Sequence, residues 1–143
     1  EALEAAGRDA RMVQTGRYMW KSRDLVAGGL VPWEVVALDR SGGALQYTPG
    51  SAVIVAAKPG LYEVRLGFFA AHPPAVTVLV NGKPALSTPS KCAGGAVVVH
   101  RHPAGAVSGV SLHQFLALPA GAEVSVLYDS DVRGQGFIEL TKL

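Results

Sequence analysis

Three groups of residues have the types and spacing to do chemistry. His100-Arg101-His102, with His113 and Cys92, carries the nitrogen and sulfur donors that zinc takes. A His-x-His at a strand end puts both rings on one face, which supplies two ligands. A zinc site needs three or four, usually in tight pairs, and the sequence has no second pair. A polar segment turning before Pro103 accounts for these residues equally well. Asp129-Ser130-Asp131, followed by Gly134 and Gly136, has the look of half a calcium loop. Calcium wants six to eight oxygens, commonly from several carboxylates, and a solvated turn is the simpler reading. Ser111, His113 and Asp129 are a nucleophile, a base and an acid, but only the fold could bring them together. Val107-Ser108-Gly109 lacks the first glycine of a nucleophile elbow, and no phosphate loop or dinucleotide fingerprint is present. No catalytic set stands out, so an enzyme is not expected.

The elements that would position such residues follow from composition. The 143 residues fit one domain, and 49% hydrophobic with 17% charged excludes a disordered chain. Seventeen glycines and nine prolines are too many for a helical bundle and lack the collagen period. Short apolar segments between Gly/Pro turns mark a sandwich or barrel. Strands are expected at Trp33–Leu38, Ala44–Tyr47, Ser51–Ala56, Gly60–Ala70, Ala75–Val80, Ala85–Ser87, Ala96–His100, Val107–Leu118, Ala122–Tyr128 and Gly136–Lys142. Alternation is clearest in the fourth: Tyr62, Val64, Leu66 and Phe68 share one face, Glu63 and Arg65 the other. Asn81-Gly82 is a two-residue hairpin signal, since a type I′ turn needs positive φ twice. Pro49-Gly50 and Pro59-Gly60 read as further turns, with Gly60 at a positive-φ position of a type II turn.

The beginning of the chain reads differently. Leu3, Ala6, Ala10, Val13, Arg17 and Trp20 fall at alternating steps of three and four, the spacing of a coiled-coil seam. Residues 1–29 are therefore expected to form a helical or coiled-coil-end segment, with Leu3, Ala6, Ala10 and Val13 as its candidate seam. An amphipathic helix packed on the domain is the equal alternative. Residues 30–143 are expected to be the folded domain, so that a chain of residues 24–143 would keep all of it.

Net charge is +2, and residues 1–23 carry all of it, with five bases against three acids. The rest of the chain balances, so it lacks the dense basic face that nucleic acid requires. A solvated helix face explains the N-terminal bases, though their arginines would also suit an anion. No apolar run approaches a membrane span of ~18 residues. One cysteine excludes an internal disulfide and, with no glycosylation acceptor, leans towards a reducing, cytoplasmic setting, with secretion as the alternative. A start at Glu1 reads as the C-terminal part of a longer protein.

The succession of segments resembles the globular head of complement C1q and its tumour necrosis factor relatives. The matching stretches are Lys58-Pro59-Gly60-Leu61-Tyr62-Glu63-Val64, then Val76 to Gly82 ending in the Asn-Gly turn. Leu116-Ala117-Leu118-Pro119-Ala120-Gly121-Ala122-Glu123-Val124 and Gln135-Gly136-Phe137-Ile138-Glu139-Leu140 complete the order. The resemblance implies an all-β, ten-stranded antiparallel jelly-roll sandwich with its last strand central in a sheet. It implies a non-catalytic interaction and scaffold module that assembles with itself, as a trimer, and binds a protein partner. A lectin-like or calcium-dependent ligand-binding head is the alternative on the same fold. Calcium, through Asp129 and Asp131, is the one cofactor this leaves open, although Ala122 stands where the family has Asp. Of the ten aromatic residues, Phe68, Phe69, Tyr128 and Phe137 are the candidate oligomer interface. Phe68 and Phe69 must point to opposite faces, so whichever leaves the core needs a cover.

Overall fold

The computed structural model describes residues 14–21, 24–26, 28–70, 74–88, 97–101, 108–129 and 134–143. They form eleven strands: β1 Gln14–Trp20, β2 Val35–Arg40, β3 Leu45–Tyr47, β4 Ile54–Ala56, β5 Gly60–Ala70, β6 Ala75–Val80, β7 Lys83–Thr88, β8 Val97–Arg101, β9 Ser108–Leu118, β10 Ala122–Asp129 and β11 Gly134–Lys142. Two antiparallel sheets result. One has six strands in the order β2-β1-β11-β5-β9-β8, the other five in the order β3-β4-β10-β6-β7. This is the expected jelly-roll sandwich, and its last strand lies inside a sheet as expected.

The correction comes at the start of the chain. Residues 14–20 are a strand of the six-stranded sheet, paired on one side with β11 and on the other with β2. The domain boundary expected at residue 30 therefore falls too late, and a chain of residues 24–143 would lack β1. Gly16, Tyr18 and Trp20 are buried at every second position. That period of two outweighs the heptad spacing, because it places two large aromatics in the core. In a strand, Arg17 and Trp20 point to opposite faces rather than sharing a seam. The candidate seam residues Leu3, Ala6, Ala10 and Val13 lie outside the described residues.

The core sits between the sheets. Tyr62, Val64, Leu66 and Phe68 of β5 meet Val76, Val78, Val124, Val126 and Tyr128 from the opposite sheet. Phe68 is the aromatic hub: its ring lies 6.0 Å from Trp20, 6.2 Å from Trp33 and 5.8 Å from Tyr128. Trp20 meets Tyr128 edge-on at 4.9 Å. Such tilted contacts are favourable beyond the area they bury. Phe68 and Tyr128, expected as interface candidates, are thus core residues. Two tryptophans need large neighbours, and these two rings supply them.

The turns follow their chemistry. Asn81 (φ 53) and Gly82 (φ 80) close the β6–β7 hairpin, and Asn81 Oδ1 accepts the Glu123 N–H at 2.9 Å, tying the hairpin to β10. Gly50 (φ 84) completes a turn in which the Ser51 N–H donates to the Thr48 carbonyl. Gly60 has the expected positive φ, but at 155° it opens β5 instead of occupying the third position of a type II turn.

Two outcomes follow from this packing. A Cβ at Gly136 would stand 2.5 Å from the Gly67 carbonyl oxygen and from the Phe68 ring. Gly136→Ala should therefore destabilise the domain by about 1–3 kcal/mol, the cost of overpacking. An unchanged urea midpoint would show that the sheet yields freely there. The Tyr18 hydroxyl is pushed up to about 12 by burial, then by Asp39 and Tyr47. An unfolded tyrosine ionises near ~10. The stabilising effect of keeping Tyr18 protonated is therefore complete below that pH and is lost as pH rises towards 12. Tyr18→Phe should shallow the alkaline fall in stability, leaving the part due to Tyr62, which burial also pushes up.

Candidate functional site: the outer face of the six-stranded sheet

The strands that bury Tyr62, Val64, Leu66 and Phe68 turn their alternate residues away from the core. Register then lines those residues into rows. Arg17, Glu139, Arg65 and His113 form one row across β1, β11, β5 and β9. Thr15, Thr141, Glu63 and Phe115 form the row on one side of it; Met19, Phe137, Gly67 and Ser111 form the row on the other. A central line of alternating charge is thus flanked by largely uncharged rows.

Glu63 is the centre of the polar part. Its Oε2 accepts from Arg65 Nη2 at 3.1 Å and Arg65 Nε at 3.2 Å, and it also meets His113 Nε2. Partial burial pushes the Glu63 carboxyl up. The hydrogen bonds from His113 and Arg65, with the charges of both, outweigh that and hold it below the usual carboxylate range. The His113 ring packs against Phe115, with centroids 5.7 Å apart. On the neighbouring strands the Arg17 guanidinium lies 4.5 Å over the Phe137 ring. Thr15 and Thr141 pair their hydroxyls at 3.2 Å.

Two glycines keep this face low. A Cβ on Gly67 would meet the Phe137 ring at 2.8 Å, and one on Gly109 would meet the Phe69 ring at 2.7 Å. Each ring therefore covers a glycine on the next strand, the pairing that fills the gap a strand glycine leaves. Phe69 (42%), Phe115 (48%) and Leu61 (47%) remain exposed here, and Leu143 (57%) lies beside Leu61, whose carbonyl accepts the Leu143 N–H. Four of the six exposed large hydrophobic side chains among the described residues thus gather on this one face.

The expected site residues are distributed as follows. Of the four interface candidates, Phe69 and Phe137 are on this face, while Phe68 and Tyr128 are not. His113 hydrogen-bonds Glu63, and Asp129 ends β10 in the opposite sheet, so Ser111, His113 and Asp129 do not form a triad. Asp129 is exposed, and Asp131 lies outside the described residues, as do Cys92 and His102. Among the described residues no three His, Cys, Asp or Glu side chains gather to hold a metal. The Glu63–Arg65–His113 cluster, Phe115 and Leu61 were not singled out from sequence. The signal for them is parity: Glu63 and Arg65 face outward, and His113 and Phe115 share that parity once β5 and β9 are in register.

The model of the family described as a domain of unknown function (DUF8789) matches residues 15–143. The chain belongs to that family. The match begins inside β1, in keeping with that strand's place in the sheet. Among curated proteins none matches in sequence. Solved structures show the fold. The globular domain of zebrafish complement 1qA superposes with a TM-score of 0.65 at 11% identity, covering 92% of this chain and 97% of that one. Murine APRIL gives 0.62 at 11% identity, covering 91% and 100%. Eiger TNF from S. frugiperda gives 0.58 at 15% identity, covering 92% of each. The C1q/TNF-like architecture inferred from motif order is therefore the architecture of this DUF8789 domain.

The Glu63 geometry has a measurable consequence. With its carboxyl held low, Glu63 contributes stability that is complete above an ordinary carboxylate's titration, near ~4.3, and is lost as pH falls through its folded value. His113→Gln should move the Glu63 carboxyl titration, followed by carbon NMR, upward. A titration unchanged in the variant would show that Arg65 alone sets it.

Proposed function

We propose that this domain is a non-catalytic assembly and protein-interaction module, and that the outer face of the six-stranded sheet is where copies meet, in threes. The observation that carries the reading is the concentration of Leu61, Phe69, Phe115 and Leu143 on a face kept flat by Gly67 and Gly109. Completing the burial of a half-exposed aromatic or leucine is worth on the order of 1 kcal/mol. Several such side chains on each of several subunits make association favourable, and closed cyclic symmetry is its common form. The C1q/TNF-like fold, shared with the complement 1qA, APRIL and Eiger TNF domains, supports the reading as an interaction module, and the family resemblance implies assembly in threes. The loops and the opposite sheet then remain for a protein partner.

The lectin-like or calcium-dependent alternative has its own test, a rise in Tm on titrating calcium or a glycan. No helix among the described residues is long and apolar enough to cross a membrane. The cytoplasmic expectation gains no support from the fold, and secretion is the setting we propose to test alongside it.

Phe115→Lys tests the reading. The new cation would stand opposite Glu63 across the β5–β9 pair, so the strand should tolerate it, while a desolvated lysine on the contact face should not be tolerated. Wild type should sediment as a trimer at micromolar concentration, and the variant as a monomer with a cooperative melt. A wild-type monomer, or a variant that assembles as tightly as wild type, would remove this face from the proposal.

A further inference from the structure

We infer that self-association through this face is gated by His113, the neutral imidazole permitting it and the imidazolium opposing it. The inference rests on the association proposed above and adds its control. Three donors, Arg65 Nη2, Arg65 Nε and His113 Nε2, converge on one oxygen, Glu63 Oε2. That carboxylate is already matched by the Arg65 guanidinium. Arg17 and Arg65 of the charged row balance Glu139 of that row and Glu63 of the next, so these four central groups sum to zero while His113 is neutral, with Arg40 opposite Thr15 on the edge strand β2 as a further cation of the face. Protonating His113 adds one more positive charge on each copy, at the centre of the face.

The side chains of His113 and Arg65 are 50% and 56% exposed, and water solvates both. Association would strip that water and bring like charges together, both of which disfavour the imidazolium. The partner on this face is a second copy, so the excess cannot be neutralised by an acidic complement; each copy brings the same sign. Among the described residues, the neighbouring elements place no other anion beside it. His113 pairs with Arg65 on β5 and lies one residue past the β8 pairing, which stops at Leu112 opposite Val97. From β5 it faces Glu63 and Arg65. On β8, His100 and Arg101 register opposite Gly109 and Ser108, at the far end of β9. Its own strand neighbours, Gln114 and Phe115, are uncharged. Glu139 stands beyond Arg65, in register with it and, on the other side, with Arg17.

Association should therefore release protons, and each proton released per chain weakens association about tenfold per pH unit below the imidazole's titration. The test is sedimentation velocity of the full chain at about pH 7.5 and about pH 5.5, either side of an ordinary imidazole. Wild type and His113→Gln are compared, with thermal melts at both pH values to show that each is folded. The expected result is a rise of at least about tenfold in the dissociating concentration of wild type at the lower pH, and a much smaller change in His113→Gln. His113→Phe, which extends the packing against Phe115, reads the same quantity should the glutamine variant fold poorly. Association of wild type that is equally tight at both pH values overturns the inference. So does a variant that keeps the wild-type pH dependence, which would transfer the control to His100 or another group. A wild type that is monomeric at both pH values overturns the association reading and this inference with it.

Discussion

The packing of the Phe68 ring between the two sheets is the constraint on which the rest of the structure depends. Trp20, Trp33 and Tyr128 converge on it from three separate parts of the chain, and Gly136 on the adjacent strand is bare so that it fits. These contacts set which face of β5 is inward. Once Phe68 is inward, strand alternation sends Phe69 outward, along with Arg65, Glu63 and Leu61. The composition of the outer face is a consequence of the core, and neither can slip by one residue without inverting the other.

The same coupling explains the glycines of the central strands. Gly136 makes room for Phe68 on the inner side. Gly67, next to Phe68, makes room on the outer side for Phe137, and Gly109 does so for Phe69. Large rings alternate with bare backbone across β11, β5 and β9, on both faces. A strand interior usually avoids glycine because it has no side chain to pack and a high entropic cost. Here the rings supply the missing packing. The outer surface is left shallow instead of ridged, which suits contact with another broad surface more than capture of a small molecule.

Much of this was legible in the sequence, and the misses have physical causes. Ten expected strands correspond to β2–β11, since alternation and Gly/Pro turns are local signals, and Gly60–Ala70 and Ala75–Val80 carry the strongest of them. Residues 14–20 were misread because Arg17 and Trp20 satisfy a heptad step while Gly16, Tyr18 and Trp20 satisfy a strand step. Local spacing cannot choose between the two periods; the choice is made by β11 and β2 on either side. Tyr128 continues the inward alternation of Val124 and Val126, so its burial was readable, whereas the need of two tryptophans for neighbours was not. The Glu63–Arg65–His113 cluster was invisible for another reason. Glu63 and His113 are 50 residues apart, and only the β5–β9 register brings them together.

The outer face combines two kinds of contact that do different work. Leu61, Phe69, Phe115 and Leu143 offer non-directional burial, which would favour many partners about equally. The row Arg17–Glu139–Arg65–His113 adds discrimination, because a partner that covers these groups without matching them leaves charges desolvated and unpaired. Internal pairing limits that cost: Arg65 and His113 already hold Glu63, and Arg17 already rests on Phe137. A face whose charges are satisfied within its own sheet can be covered by an identical face, provided no charge is left over. His113 is the one member of the row whose charge is conditional. Under the proposed self-association, the fit of one face on another therefore turns on an imidazole held where the apolar and the charged parts of the surface adjoin.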